Sequence, residues 1–214
     1  MDEFSMTNTG LLGWARPIPY GTSEDTSIML DWASHDDFSS WDLMTCNPIR
    51  NWPTDARMSC TELEGDRKPD DVVPNHLGMM VVSPRCREAV LKVPGASGCA
   101  EFLPVRLDYL GNDLGVYFAV NVLRAVSVLD RERSRYEVFT SLDAGSQPIG
   151  RVKSIRNLVI LPGLLKSDVP VFRLQEMPEW VLFSPSMRNA LDSAGVTGFE
   201  WWEAALSNQI VGAE

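Results

Sequence analysis

Residues 79–98 read MMVVSPRCREAVLKVPGASG. The apolar run 79–82 is short, and its two valines suit a buried strand. Ser83 then stands where a helix N-cap belongs. Pro84 follows at the first helical position, where its missing N–H is no loss. The spacing predicts a short helix over residues 85–93, stopped at Pro94-Gly95. The same signals recur at residues 184–198, SPSMRNALDSAGVTG, after the apolar run 180–183. Ser184-Pro185 opens that copy, and Gly195 and Gly198 stand where the first has Gly95 and Gly98. Strand, capped helix, glycine turn and returning strand are therefore predicted twice.

Outward from these two units the pattern stays mixed. Residues 101–107 place Phe102, Val105 and Leu107 as a strand expects, while Pro104 puts that strand at an edge or bulge. Asn112-Asp113 reads as a turn. Residues 116–123, VYFAVNVL, have the aromatic and β-branched content of a buried strand. Residues 130–135, DRERSR, are polar throughout and read as a turn or an exposed helix end. Residues 136–139, 155–161 and 169–174 are further strands. Trp201 and Trp202 are adjacent, so on a strand they face opposite sides. The fold class is α/β in the α+β sense, with short mixed or antiparallel strands and a few short helices.

The chain has 214 residues, of which 44% are hydrophobic and 22% charged. Such a chain buries roughly 70% of its unfolded surface and needs no disulfide or metal staple. Its four cysteines, Cys46, Cys60, Cys86 and Cys99, lack CxxC spacing and are expected as reduced thiols. The start, MDEFSMTNTG, lacks the basic and apolar regions of a secretory signal, so a cytoplasmic protein is expected. The apolar stretch 158–165 is broken by Pro162-Gly163 and falls short of the ~20 residues that cross a bilayer.

Charge is uneven along the chain. The net charge is −10, and residues 1–80 hold 14 acids and 5 bases, while residues 81–214 hold 15 acids and 14 bases. Nucleic-acid binding is disfavoured, because phosphate contacts need a basic face. Residues 1–78 read as an irregular acidic region carrying Trp14, Trp32, Trp41 and Trp52, and residues 79–214 as the α/β domain. A disordered acidic tail would be poor in aromatics, so these tryptophans pack on the body or on a partner. Regular structure is expected to begin near Met79.

No motif carries catalysis. His35 and His76 lie outside any HExxH frame, and His35 with Asp36 and Asp37 reads as an exposed turn rather than a metal site. GxSxG, GxxxxGK[ST] and GxGxxG do not occur. Gly145-Ser146 lies in turn composition. A pair of Cys46 with His35 or His76 has no local support, although triads assemble in space. No catalytic residue, metal ligand or cofactor is expected.

Seven stretches point further. VSPRCREAV (82–90), EFLPV (101–105), YFAVNVL (117–123), LDRERS (129–134), and the closing VFRL, VLFS and AL-x-x-AGVTGF (171–174, 181–184, 190–199) keep a fixed order. Over residues 79–202 the chain resembles a bacterial immunity family encoded beside polymorphic toxins and type VI secretion effectors. The resemblance implies a protein that binds a cognate toxin and blocks it in the producing cell, without catalysis or cofactor. The shared motifs are caps, turns and strand cores, so toxin contacts are expected elsewhere. An effector adaptor or chaperone, or a small Cys/His hydrolase, are the alternatives. The acid-rich, Trp-rich segment is the expected contact: Asp31, Trp32, Asp36, Asp37, Trp41 and Asp42. Aromatic anchors rimmed by charge suit a fast, tight interface, and an acidic surface suits a toxin with a basic cleft.

Overall fold

Both Ser-Pro units fold as their sequences read. In the computed structural model, Ser83 Oγ accepts the Cys86 N–H at 3.2 Å, and Ser184 Oγ accepts the Met187 N–H at 3.2 Å. These caps open helices α1 (Pro84–Leu91) and α2 (Pro185–Ser193), each with proline in its first turn. Gly95 and Gly195 take φ of 82° and 62°, the left-handed region glycine enters without steric cost. The two helices pack against each other. Described are residues 15–19, 30–32, 40–60, 69–73, 75, 79–109, 111–143, 145, 147–165 and 169–207; for 18–19, 30–32, 40 and 60 this covers the backbone alone.

The strands fall in chain order as follows. First come β1 (Ala15–Pro19), β2 (Leu30–Trp32), β3 (Arg57–Cys60), β4 (Val72–Val73) and β5 (Val81–Val82). The middle holds β6 (Ala100–Tyr109), β7 (Asn112–Val122), β8 (Ala125–Val126), β9 (Arg135–Val138) and β10 (Val152–Asn157). The rest are β11 (Val159–Ile160), β12 (Val171–Leu174), β13 (Met177–Phe183), β14 (Phe199–Glu203) and β15 (Ala205–Leu206). One sheet has the order β2-β3-β6-β7-β5-β4 and a second β14-β1-β13-β12-β8; β9 pairs with β10, and β11 with β15. The fold is therefore α+β with mixed sheets, as the sequence pattern implies.

Alternation along the strands builds three apolar layers. Between the sheets lie Val82, Val120 and Val122 from one side and Val171, Val181 and Phe183 from the other, joined by Cys86, Val90, Met187 and Leu191 of the helices. The far face of the first sheet buries Val81, Leu103, Val105, Leu107 and Ala119. The far face of the second buries Phe172, Leu174, Trp180 and Leu182 under Leu158 and Ile160. Trp201 joins the central layer and Trp202 the outer one, so the adjacent tryptophans do face opposite ways, each half-buried.

Three expectations need correction. Regular structure begins well before Met79, because β1 sits inside the second sheet between β13 and β14, and β2 and β3 extend the first. Those strands are short, and the periodicity that would announce them is too brief to read. The turn lies two residues before Asn112-Asp113: Tyr109 pairs directly with Asn112 around Gly111, at φ 81°. Strand β6 is interior rather than at an edge. Pro104 is tolerated because β3 pairs only from Arg106 onward, so no partner strand stands on that flank at residue 104. There the indole N–H of Trp52 donates to the Pro104 carbonyl at 2.6 Å.

A short strap, residues 70–72, ties the two capped units together. Buried Asp71 accepts the Ser83 hydroxyl at 2.5 Å, the Thr197 N–H at 2.9 Å, and a two-pronged pair from Arg85. The Val72 N–H donates to the Thr197 carbonyl at 3.0 Å. Burial pushes the Asp71 carboxyl up, but hydrogen bonds from Arg85, Ser83 and Thr197 outweigh it and hold the carboxyl below the usual carboxylate range.

Candidate functional site

Strand β2 is the edge of the first sheet, and it carries Asp31 and Trp32 opposite Ser59 and Met58 of β3. Asp36 and Asp37 lie outside the described residues. The chain then forms a single 3-10 turn, Ser40–Met44. Leu43 points inward and is buried against the first sheet's far face, while Trp41 is 57% exposed and Asp42 is exposed beside it. One turn thus plants an apolar anchor and presents an indole with a carboxylate.

The stretch that follows fixes this turn from behind. The Ile49 N–H donates to Glu101 Oε2 at 3.0 Å, and fully buried Asn121 donates to the Asn47 carbonyl at 2.8 Å. Ile49 and Trp52 pack on the same layer as Leu43. Cys46, between Leu43 and Ile49 in the chain, has φ 59°, a conformation non-glycine residues seldom adopt. Trp41 is therefore offered by a segment sewn to a sheet face, and ordering it on binding costs little entropy. Of the six residues the sequence nominates, Asp31, Trp32, Trp41 and Asp42 fall on an edge strand and a turn of one layer.

No nucleophile is assembled among the described residues. Cys46, Cys86 and Cys99 are free thiols. Burial pushes the Cys86 thiol up to about 12, with Asp71 adding to the effect, so it stays protonated. Burial also pushes the Cys46 thiol up, with Arg173 pulling it back. His35 and His76 lie outside the described residues. No group of three His, Cys, Asp or Glu side chains among the described residues is placed to hold a metal. No helix among them is long and apolar enough to cross a membrane.

A family model, Immunity protein family (Imm11), matches residues 6–206. The chain belongs to that family. No curated protein matches it. The Imm11 match extends well upstream of the stretch where the sequence blocks concentrate, and it includes β1 to β4 and the Trp41 turn. For this Imm11 member the matched region implies an immunity role exercised on a toxin partner.

Sequence reading missed a second surface. The β9–β10 connection, residues 139–151, leaves Leu142 97% and Ile149 70% exposed. Asp143 braces it, accepting the Thr140 N–H at 2.7 Å and the Lys153 ammonium at 2.5 Å. Those bonds, the Lys153 one foremost, bring the Asp143 carboxyl down to about 2. The turn-forming composition of DAGSQPIG was legible, but a braced loop raising two aliphatic side chains was not.

Proposed function

We propose that this Imm11 protein neutralises a cognate toxin, of the polymorphic or type VI effector kind, by stoichiometric contact in the cytoplasm of the cell that makes it. Catalysis has no part in that role, and neither nucleic acid nor membrane is the partner. The observation that carries the reading is Trp41, an indole held out beside Asp42 within a family-matched segment. Indole anchors ringed by polar groups dominate the affinity of many interfaces.

The contact set on this reading is Asp31, Trp32, Asp36, Asp37, Trp41 and Asp42. Residues 1–78 supply the acidic surface and residues 79–214 the body that backs it. The toxin's matching feature is a basic active-site cleft, which the acids steer toward and the indole enters. The test replaces Asp31, Asp36, Asp37 and Asp42 by asparagine together and follows association against salt. Slower association with a flatter salt dependence is expected. An unchanged rate in the folded variant shifts the contact to Leu142 and Ile149, the exposed aliphatic pair that favours a second reading of the interface.

A further inference from the structure

Between the two sheets lies a cavity of about 200 Å³. Most of its wall is apolar, with Met80, Val82, Phe183, Leu191 and Phe199 among the lining residues. Four polar side chains break that wall: Asn75, Arg16, Arg173 and Glu179. Asn75 is committed, bonding the carbonyls of Val73 and Met79 and the Met79 N–H. Glu179 is answered by Arg151 at 3.1 Å through its other oxygen, leaving Oε2 buried without a partner.

The two cations are only partly answered. Arg173 is only 3% exposed; its Nη1 donates to the Pro178 carbonyl at 2.7 Å, while its Nε is buried with no partner. Arg16 lies over the Trp180 ring at 4.5 Å, with no hydrogen bond or ion pair among the described residues. Burial lowers the proton affinity of both; Glu179 partly restores that of Arg16, and Cys46 and Glu179 that of Arg173. A guanidinium stays charged even so. Buried Arg173 and half-buried Arg16 share one carboxylate, itself paired with Arg151, which leaves an excess of positive charge in a protein of net charge −10. Leaving a buried donor unpaired costs free energy, and natural proteins rarely do so without a use for it.

We propose that this cavity binds a small aliphatic carboxylate. The Nε edge of Arg173 is the side-on edge of a guanidinium, which matches the two oxygens of a carboxylate. Arg16 supplies the second cation, and the apolar wall takes a short hydrocarbon body. The volume suits a free small molecule rather than a peptide segment. This binding uses residues other than the proposed toxin contacts, so either reading can fail while the other stands.

Hexanoate is the probe, titrated calorimetrically into the full chain without toxin, with hexanamide and hexylammonium as uncharged and cationic controls. Saturable 1:1 binding of hexanoate alone is expected. With methyl-labelled methionine, the Met80 signal should shift while Met58, on the first sheet's far face, stays in place. Arg173→Met should weaken hexanoate about 10-fold or more, the scale of one charged hydrogen bond. If Arg173→Met fails to fold, Arg16→Gln decides, with a several-fold loss expected. Absence of saturable binding, equal binding of hexanamide, or full affinity in the folded arginine variants would each overturn the proposal.

Discussion

Helices α1 and α2 open with the same dipeptide and the same cap, yet they end in different company. At α1 the capping hydroxyl of Ser83 also donates to buried Asp71. At α2 the hydroxyl of Ser184, besides capping Met187, lies 2.9 Å from that of Ser186. The glycine turns diverge as well. Gly198 lies at φ 94° with the Val72 carbonyl 2.4 Å from where a Cβ would stand, while a Cβ on Gly98 would meet nothing within 4 Å. Local sequence sets both caps, and the strap at residues 70–72 joins the opening of the first unit to the closing turn of the second. The motif residues that carry the family likeness are thus spent on holding the two units together, which leaves the toxin contact to the surface.

The sharpest way to break this comparison is at the glycines. Gly198→Ala meets backbone at a strained φ and should cost about 3 kcal/mol or more. Gly98→Ala should change stability by less than about 0.5 kcal/mol. Denaturant midpoints compare the two directly, and equal costs would mean that the strap does not lock the second turn.

Next comes Asp71→Asn, expected to cost about 2–3 kcal/mol at neutral pH, because buried donors lose their charged acceptor. Arg85 is 55% exposed and remains solvated, which limits the loss. The folded carboxyl lies below its unfolded value of ~3.9. Its contribution is therefore present above that value and lost as pH falls through the folded one. The gap between wild type and Asp71→Asn should narrow below about pH 4. A gap that widens on acidification would contradict the assigned direction.

The caps separate by a smaller margin. Ser184→Ala should cost about 1 kcal/mol, an ordinary N-cap loss. Ser83→Ala should cost about 2 kcal/mol, since Asp71 loses a donor as well. Toxin affinity should survive in both at temperatures where they fold. Loss of affinity at unchanged stability would make the serine a contact instead of a cap.

Trp41→Ala should have a small effect on folding, about 1 kcal/mol or less, and a large one on the partner. Its exposed indole is expected to carry about 2 kcal/mol of binding, roughly a 30-fold loss of affinity. Leu142→Ser with Ile149→Ser is the matching change on the second surface. If that pair rather than Trp41 abolishes binding, the interface lies on the β9–β10 loop.

What the sequence disclosed follows from how far each signal reaches. Ser83-Pro84 and Ser184-Pro185 act within one helical turn, so caps and both helices were readable. Strand β7 is long and β-branched, and it announced itself. Strands β1 and β3 are short, and their pairings depend on residues far along the chain: Ala15 on Phe183 and Glu203, Arg57 on Arg106. No local pattern encodes such pairing. Trp41 and Asp42 were nominated from charge and aromatic content, but the inward Leu43 that orients them becomes visible only in the fold. Asp71 gives no local signal in the sequence; its role shows only where Ser83, Arg85 and Thr197 converge on it.

Neutralisation by contact without turnover has a direct stoichiometric signature. The direct measurement titrates purified protein against a fixed amount of its cognate toxin and reads residual toxin activity together with the mass of each recovered chain. Activity should fall linearly to zero at a fixed molar ratio, with both chains recovered unmodified and toxin activity restored on separation. Full inactivation by a small fraction of an equivalent, or a toxin chain recovered cleaved or altered in mass, would contradict it.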